Sequence, residues 1–222
     1  MKIRFPHRTT VLAATTLPWL LLSGPGGLWA ASDSMDPRPE ERVVTETMLF
    51  TFERGEGVDR WMTVNDGVMG GLSQSGMFLT EDDTAVFEGN VSLENNGGFA
   101  SVRSRPEPLP TDGTSRVAVR VRGDGREYQL RIRTEDSFDG VAYRWSFKTR
   151  KDEWVTLEAP YADFVPTWRG RTPRNFPPIA ASEIRQLGFL IADKEEGPFR
   201  LEVDWIKALN PHESESPSAR TP

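Results

Sequence analysis

The side chains that most often carry covalent and acid–base chemistry are scarce in this sequence. Among its 222 residues there is no cysteine, and the two histidines, His7 and His212, lie near opposite ends of the chain. The absence of cysteine excludes disulfides, thiolate catalysis and zinc ribbons. If both ends lie outside the fold, Ser-His-Asp triads and histidine-ligated metals are excluded as well. The composition therefore argues against most enzyme classes.

Carboxylates are the remaining groups that could serve as a catalytic acid and base, as in glycoside hydrolysis. The candidates are Asp66, Glu88, Asp136 and Asp139. Nothing in the sequence pairs any two of them across a cleft. We therefore expect a protein that is not an enzyme.

The densest group of turn-forming residues is the loop Trp61-Met-Thr-Val-Asn-Asp-Gly-Val-Met-Gly-Gly-Leu-Ser73. Asn65 and Asp66 can hydrogen-bond the local backbone, and the glycines allow close backbone approach. The loop does not fit Gly-x-Gly-x-x-Gly, and it lacks both the lysine of a phosphate-binding loop and the alternating acids of an EF-hand. It is either a corner of the fold behind a buried tryptophan or a binding loop that offers Asn65, Asp66 and Met69.

Basic residues alternate with apolar ones along three stretches, 117–122, 127–133 and 141–148. Such period-two alternation predicts strands with one buried and one outward face. If the three strands are neighbours, one face collects Arg120, Arg122, Arg131, Arg133, Arg144 and Lys148. That face would be a positive patch that recruits an acidic partner, an anionic lipid or a polyanionic glycan. The alternative is a solvated face whose cations pair with acids on adjacent strands.

Strands must position these residues, because period-two alternation recurs along the chain and no long amphipathic helix is evident. Strands are predicted at 48–53, 76–80, 84–93, 98–104, 117–122, 127–133, 141–148, 153–158, 186–192 and 199–208. The turn Gly123-Asp124-Gly125 is predicted to close a β-hairpin between its two flanking strands. About ten short strands separated by Gly, Pro and Asn predict an all-β sandwich.

The amino-terminal end differs from this pattern. Residues 1–31 contain Lys2, Arg4 and Arg8, no acidic residue and an apolar stretch at 11–22, a layout typical of a secretory signal peptide. The alternative is a mitochondrial presequence. The twelve residues of the apolar stretch are too few to span a bilayer, which takes about 20. We therefore expect an exported, periplasmic or secreted protein that is not an integral membrane protein once processed.

The remaining segments are predicted as a polar linker at 32–46, one folded domain at 47–209 and a disordered tail at 210–222. Removal of residues 1–31 changes the formal net charge from −6 to −9, because 24 Lys and Arg remain against 33 Asp and Glu. A chain this acidic is not expected to bind nucleic acid.

The loop at 61–73 closely resembles the signature of the complex I intermediate-associated protein 30 family, and later stretches keep the family's order. They are Phe87-Glu-Gly-Asn-Val-Ser-Leu-Glu-Asn-Asn-Gly-Gly-Phe-Ala-Ser101, Val121-Arg-Gly-Asp-Gly-Arg-Glu-Tyr128, Pro160-Tyr-Ala-Asp-Phe164, Ile184-Arg-Gln-Leu-Gly-Phe189 and Gly197-Pro-Phe-Arg-Leu-Glu-Val-Asp-Trp-Ile206. The resemblance implies a single jelly-roll β-sandwich of galactose-binding-like fold, and it adds Asn95 and Asn96 to the candidate binding residues. Mitochondrial members of the family assist the assembly of respiratory complex I and have no recognised catalytic residues.

The implied fold suggests two further sites. Jelly-roll glycan binders stack sugars on exposed aromatic rings, for which Trp168, beside Arg169, and Trp154 are the candidates. Trp168 lies in the proline-rich stretch 159–182, whose alternative role is a flap over one open end of the sandwich. Such folds often hold a structural Ca²⁺ between acids near the first and last strands, where Glu53 and Asp204 lie. Both acids are alternatively edge residues that only make hydrogen bonds. We expect no other cofactor.

Together these features predict an exported, non-catalytic binding or assembly module whose partner is a protein or a membrane complex. The alternative is an extracytoplasmic carbohydrate-binding module, for which the ligand is a glycan.

Overall fold

The computed structural model describes residues 45–53 and 57–211 of the chain. The strands in that part are β1 (Glu46–Thr51), β2 (Trp61–Thr63), β3 (Gln74–Leu79), β4 (Ala85–Val91), β5 (Ala100–Ser104), β6 (Arg116–Gly123), β7 (Glu127–Arg133), β8 (Ala142–Lys148), β9 (Trp154–Pro160), β10 (Val165–Thr167), β11 (Gln186–Ile191) and β12 (Gly197–Leu209). Short 3-10 helices occur at Val58–Arg60, Asp66–Met69, Glu94–Asn96, Tyr161–Asp163 and Ala181–Glu183. Within the described residues, no helix has the length and apolarity needed to cross a membrane.

The strands form two antiparallel sheets around a shared core. Sheet 1 has the order β3-β4-β12-β6-β9, with β1 also paired to β12, and sheet 2 has the order β10-β8-β7-β11-β5-β2. The core cluster takes side chains from both sheets, such as Val119 of β6 and Leu130 of β7. The prediction of an all-β, jelly-roll sandwich is confirmed.

Alternation along each strand decides which side chains enter the core. In β7, Leu130 is fully buried, whereas Arg131 lies on the outer face of sheet 2. Trp61 of β2 is buried as predicted, and its ring stacks on Phe189 of β11 with the centroids 5.9 Å apart. Burial of one large apolar side chain stabilises the fold by about 1.5–3 kcal/mol. Because a slip of one residue would expose these side chains, their burial also fixes which residues lie on the outer face.

The predicted hairpin between β6 and β7 is wrong. β6 pairs with β12 and β9 in sheet 1, whereas β7 pairs with β8 and β11 in sheet 2. The turn between them passes from one sheet to the other, and Asp124 in that turn accepts hydrogen bonds from the Tyr128 hydroxyl (3.0 Å) and the Arg200 backbone N–H (2.8 Å). Both strands turn their apolar sides to one core from opposite sheets, and alternation alone does not distinguish this from pairing.

The proline-rich stretch 159–182 contributes to both the sheet and the core. β10 adds an edge strand to sheet 2 by pairing with β8. Further along, Phe176 and Ile179 pack against the core, and the Tyr143 hydroxyl donates a hydrogen bond to the Pro177 carbonyl oxygen (2.9 Å). The stretch therefore covers part of the core, and its hairpin at Trp168–Arg171 extends beside the outer face of sheet 2.

The predictions for the two ends fall almost wholly outside the described residues. They concern the signal peptide at 1–31, nearly all of the linker at 32–46, and the tail at 210–222 beyond Pro211.

Candidate functional site

The outer face of sheet 2 carries a groove of about 760 Å³, which we call the arginine groove. Its floor includes one row of directly paired positions, Arg103 of β5, Gly188 of β11, Arg131 of β7 and Arg144 of β8. Arg133 of β7 and Arg169 of the hairpin also line it. Directly paired residues in an antiparallel sheet share a face, so this row brings three arginine side chains onto one surface.

Gly188 keeps the floor of the groove open between two of these arginines. A Cβ atom at this position would lie 2.7 Å from the Val102 carbonyl oxygen and 3.1 Å from the Cβ of Arg103. Both distances are shorter than ordinary van der Waals contact. The position is therefore restricted to glycine, and no side chain separates Arg103 from Arg131.

The two arginines of β7 are held by neutral acceptors. Arg131 donates to Gln129 Oε1 (2.8 Å), and Arg133 donates to the Gly140 carbonyl oxygen (2.6 Å). Arg144 is exposed and forms no ion pair with any described residue. Burial lowers the pKa of Arg131 to about 10, and repulsion by Arg133 and Arg144 adds to this effect. Burial lowers the pKa of Arg133, and the charges of Asp139 and Glu135 oppose that shift. None of the three guanidinium groups forms an ion pair with a carboxylate in the described part of the chain.

Arg103 lies beneath one wall of the groove. Its guanidinium stacks on the Phe138 ring at 4.2 Å and donates to the Phe138 carbonyl oxygen (3.0 Å). Its Nε is buried and has no hydrogen-bond partner among the described residues. Burial lowers the pKa of Arg103 to about 10, repulsion by Arg133 adds to the shift, and Asp139 opposes it. Arg103 thus contributes positive charge and an unused donor to the floor.

Phe138 and Trp168 form the first wall, which joins the loop after β7 to the hairpin after β10. The Trp168 indole Nε1 donates to the Asp139 carbonyl oxygen (2.9 Å), and Arg169 forms an ion pair with the Asp139 carboxylate. That hydrogen bond from Arg169 lowers the pKa of Asp139. Asp139 is the single carboxylate among the described lining residues, and it is already neutralised.

Val68 and Met69 form the opposite wall, and their side chains are 66% and 65% exposed. They belong to the 3-10 helix that begins at Asp66. Asp66 is fully buried, which contradicts the prediction that it contacts a ligand. Its carboxylate accepts hydrogen bonds from the Ser73 backbone N–H (2.9 Å), the Ser73 hydroxyl (2.5 Å), and the backbone N–H groups of Gly98 (2.8 Å) and Phe99 (3.2 Å).

Asp66 therefore positions the wall rather than the ligand. Burial acts to raise the pKa of Asp66, but its hydrogen bonds from Ser73, Gly98 and Phe99 outweigh that effect and lower it. Gly71 packs against this carboxylate, since a Cβ there would lie 2.4 Å from Cγ of Asp66. The predicted compact loop behind a buried tryptophan is thus a corner fixed by an internal anion.

The predicted asparagines lie beside this corner. Asn65 Oδ1 accepts hydrogen bonds from the Ser75 hydroxyl (2.7 Å) and the Ser101 backbone N–H (3.1 Å), which ties the loop to β3 and β5. Asn95 and Asn96 are exposed at positive φ of 54° and 59° in a turn that does not line the groove. Their predicted contact with a ligand stays a prediction.

Arg120 and Arg122 lie elsewhere, so the prediction of six cations on one face is wrong. Both belong to β6 in sheet 1, where Arg120 pairs with Asp204 and Arg122 pairs with Glu202. Their guanidinium groups each lie 4.9 Å from the centroid of the Trp154 ring. The physical reason is again the change of sheet between β6 and β7. For Arg120 and Arg122 the structure agrees with the alternative prediction, a solvated face whose cations pair with acids on an adjacent strand.

The remaining predicted positions lie outside the groove. Lys148 stands opposite Glu127 at the end of β8. Glu53 is exposed after β1, and Asp204 is engaged by Arg120. The residues that the structure describes contain no group of three or more His, Asp or Glu that could hold a metal ion. A calcium ion at Glu53 and Asp204 stays a prediction, with the Arg120 ion pair as its competitor.

Sequence reasoning missed Arg103, Gly188 and Phe138. The signal for Arg103 was present, because Ser101 and Arg103 alternate with Val102 and Ser104 in a predicted strand. The position of β5 in sheet 2, two places from β7 across β11, was not deducible from alternation.

Comparison with known proteins identifies the family. Residues 50–203 match the family model described as Complex I intermediate-associated protein 30. The mitochondrial protein of that name from Mus musculus is 27% identical over 77% of this chain and 59% of its own length. That from Drosophila melanogaster is 27% identical over 76% of this chain and 63% of its own length. The chain thus spans about three-fifths of the length of these relatives.

Solved structures share the fold at low sequence identity. A family 11 carbohydrate-binding module of a Clostridium thermocellum cellulosomal cellulase matches with a TM-score of 0.57 and 17% identity, covering 76% of this chain and 96% of the module. An agarase matches with a TM-score of 0.51 and 12% identity, covering 75% of this chain and 25% of the enzyme. These structures establish the sandwich fold, whereas the family assignment rests on sequence. Because the family model covers residues 50–203, the chain belongs to the Complex I intermediate-associated protein 30 family.

Proposed function

We propose that this chain is a non-catalytic module that takes part in the assembly of a respiratory complex by holding a protein partner in the arginine groove. The observation that carries the proposal is the set of guanidinium groups at Arg131, Arg133 and Arg144, which form no ion pair with a carboxylate within the described residues. Family membership supplies the biological setting, because the family resemblance implies a role in complex I assembly.

The carboxylates around the groove support binding rather than catalysis. Glycoside hydrolysis needs two carboxyl groups that flank the reacting bond, with one of them kept protonated by a raised pKa. Asp139 has a lowered pKa and is paired with Arg169, and Asp66 is buried beneath the wall with a lowered pKa. Neither group fits the role of a general acid.

The proposed destination of the chain follows its relatives. The matched proteins from mouse and fly carry the word mitochondrial in their names. We favour mitochondrial import, the alternative for residues 1–31, over export. A fluorescent protein fused after residue 46 tests this in the source organism: colocalisation with a mitochondrial dye supports import, and secretion of the fusion contradicts it.

Affinity purification of the tagged full chain from the source organism tests the assembly role. We expect subunits of respiratory complex I intermediates to co-purify with the wild type. The double variant Arg131→Gln/Arg144→Gln should lose them. The matched control is Arg150→Gln/Arg174→Gln, which removes the same charge from exposed positions outside the groove and should retain them. Purification of no respiratory subunit with the wild type contradicts the assembly role.

One observation favours carbohydrate binding as a second candidate. Trp168 is 43% exposed on the groove wall, where an indole ring can stack on a sugar. A neutral sugar would leave the guanidinium charges uncompensated, which makes this the weaker candidate. Affinity electrophoresis in gels containing mixed-linkage β-glucan tests it. Retardation that Trp168→Ala abolishes supports glycan binding, and unretarded migration of the wild type contradicts it.

A further inference from the structure

The charge balance of the arginine groove calls for an anionic occupant. Its described lining contains five arginines, at 103, 131, 133, 144 and 169, and one carboxylate, that of Asp139. Asp139 is already paired with Arg169, and its charge also acts on Arg103 and Arg133, so the described lining sets five positive charges against one negative charge. Guanidinium groups form bidentate hydrogen bonds with carboxylates and phosphates, and they match planar anions better than ammonium groups do.

The walls add a second requirement, since they expose large apolar side chains. Phe138 is 63% exposed beside Trp168 on one wall, and Val68 and Met69 face solvent on the other. Exposed apolar patches bordered by polar residues mark binding surfaces for proteins or other ligands. The occupant must therefore combine negative charge with apolar side groups.

The shape of the floor supplies the third requirement. The row from Arg103 through Gly188 and Arg131 to Arg144 crosses four neighbouring strands of sheet 2. With adjacent strands about 4.8 Å apart, the row extends about 14 Å. Since an extended polypeptide advances about 3.3 Å per residue, roughly four residues cover this distance.

We propose that the groove binds an extended acidic segment of the partner protein, with carboxylates over Arg131 and Arg144 and apolar side chains against the Met69 and Trp168 walls. This inference rests on the proposed function, because it names the chemistry of the partner that the groove holds. Inorganic phosphate would meet only the requirement for negative charge, and a neutral glycan would meet only the requirement for contact with the aromatic wall. An acidic segment with apolar neighbours satisfies both.

A displayed library of random twelve-residue peptides, selected on the immobilised full chain, tests the chemistry of the occupant directly. Peptides that also bind Arg131→Gln/Arg144→Gln are removed by counter-selection. We expect the surviving peptides to be enriched in Asp and Glu interspersed with apolar residues. Survivors without acidic enrichment, or no survivors, overturn the proposal.

Fluorescence anisotropy then measures how strongly the most enriched peptide binds the wild type and each variant. We expect its affinity to fall at least tenfold with Arg131→Gln/Arg144→Gln, and to change less than twofold with Arg150→Gln/Arg174→Gln. Replacement of the peptide's Asp and Glu by Asn and Gln should cause a comparable loss. Equal weakening by both double variants would reveal general charge attraction and overturn the proposal.

Competition with other anions distinguishes a peptide site from a site for phosphate or an acidic glycan. Pyrophosphate and polygalacturonate are titrated against the bound peptide at constant ionic strength. Displacement only at concentrations well above that of unlabelled peptide supports the peptide site, whereas displacement at lower concentrations assigns the groove to phosphate or an acidic glycan instead.

The two proposals fail separately. Groove-dependent peptide binding without co-purified respiratory subunits leaves the acidic-segment site standing and removes the assembly role. Co-purification that survives Arg131→Gln/Arg144→Gln leaves the assembly role standing and removes the groove as its site.

Discussion

Arg122 and Arg131 lie on the outer faces of the two sheets, and their surroundings are opposite. Arg122 donates two hydrogen bonds to Glu202 Oε2, at 3.2 Å from Nε and 2.7 Å from Nη2, and stacks on Trp154. Arg131 donates to the neutral Gln129 and lies beside other arginines, with no carboxylate within ion-pair distance in the described part of the chain. Arg122 of sheet 1 is thus neutralised within its own sheet, whereas Arg131 of sheet 2 has no anionic partner at ion-pair distance among the described residues.

The difference lies in the neighbouring strands. β6 is flanked by β12, which supplies Glu202 directly opposite Arg122 and, from the irregularity between Val203 and Trp205, Asp204 to pair with Arg120. β7 is flanked by β8 and β11, which supply Arg144 and Gly188 at the corresponding positions. Like charges directly opposite each other on neighbouring strands destabilise a sheet. The fold tolerates this arrangement in sheet 2 and avoids it in sheet 1, which is consistent with a ligand that brings the missing negative charge.

The largest effect is expected from Glu202→Leu in sheet 1. Glu202 is 2% exposed, and its carboxylate also accepts a hydrogen bond from the Thr84 hydroxyl (2.7 Å). Breaking a buried ion pair costs about 3–5 kcal/mol, and the partly exposed Arg122 recovers some of this from water, so we expect a loss of about 2–3 kcal/mol in the free energy of unfolding. Urea denaturation measures it.

Glu153→Gln is the control for this substitution, because Glu153 pairs with Arg150 at an exposed turn (3.0 Å). Its expected loss is below about 0.5 kcal/mol. Similar losses in the two variants would mean that the sheet 1 charges do not stabilise the fold through their pairing.

An intermediate effect is expected from replacing the two compared arginines by methionine. Arg122→Met should lower the free energy of unfolding by about 1–2 kcal/mol, because Glu202 loses a charged donor. Arg131→Met should leave it unchanged or raise it by about 1 kcal/mol, since repulsion within the groove is relieved. Urea denaturation of both variants at the same ionic strength tests the comparison of Arg122 with Arg131 directly. Equal destabilisation by the two substitutions would contradict the difference between them.

The sequence predicted the residues of each strand better than the neighbours of each strand. Alternation identified the outward positions of β7 and β8 because burial of every second side chain is a local property. The placement of β6 beside β12 depends on a contact between residues about 80 positions apart, such as Arg122 and Glu202. The groove was therefore predicted in part, from Arg131, Arg133, Arg144 and Trp168, with Arg120 and Arg122 wrongly included.

The loop at 61–73 shows a second reason why the sequence predicted the site only in part. Its turn residues predicted a compact corner, but they did not reveal whether Asp66 points outward or inward. The inward orientation depends on backbone N–H groups of Gly98 and Phe99, more than thirty residues away. A buried carboxylate requires such donors, and they become evident only when the two loops are brought together.

The smallest effect is a pH dependence confined to sheet 1. Burial acts to raise the pKa of Glu202, but the hydrogen bonds from Arg122 and Thr84 and the positive charges of Arg122 and Arg200 outweigh it and lower the pKa. A carboxylate with a lowered folded-state pKa stabilises the fold above its unfolded pKa of about 4.3, and this contribution disappears as the pH falls through the lower folded value. The difference in unfolding free energy between wild type and Glu202→Gln should therefore narrow as the pH falls from 5 to 3.

Arg131→Met supplies the contrast in the same experiment. Guanidinium groups remain protonated throughout this acidic range, and the groove arginine has no carboxylate partner among the described residues whose protonation would alter its energy. The difference between wild type and Arg131→Met should therefore stay constant from pH 5 to 3, as measured by urea denaturation at each pH. A narrowing as large as that of Glu202→Gln would reveal a carboxylate interacting with Arg131, and it would remove the distinction between the two sheets.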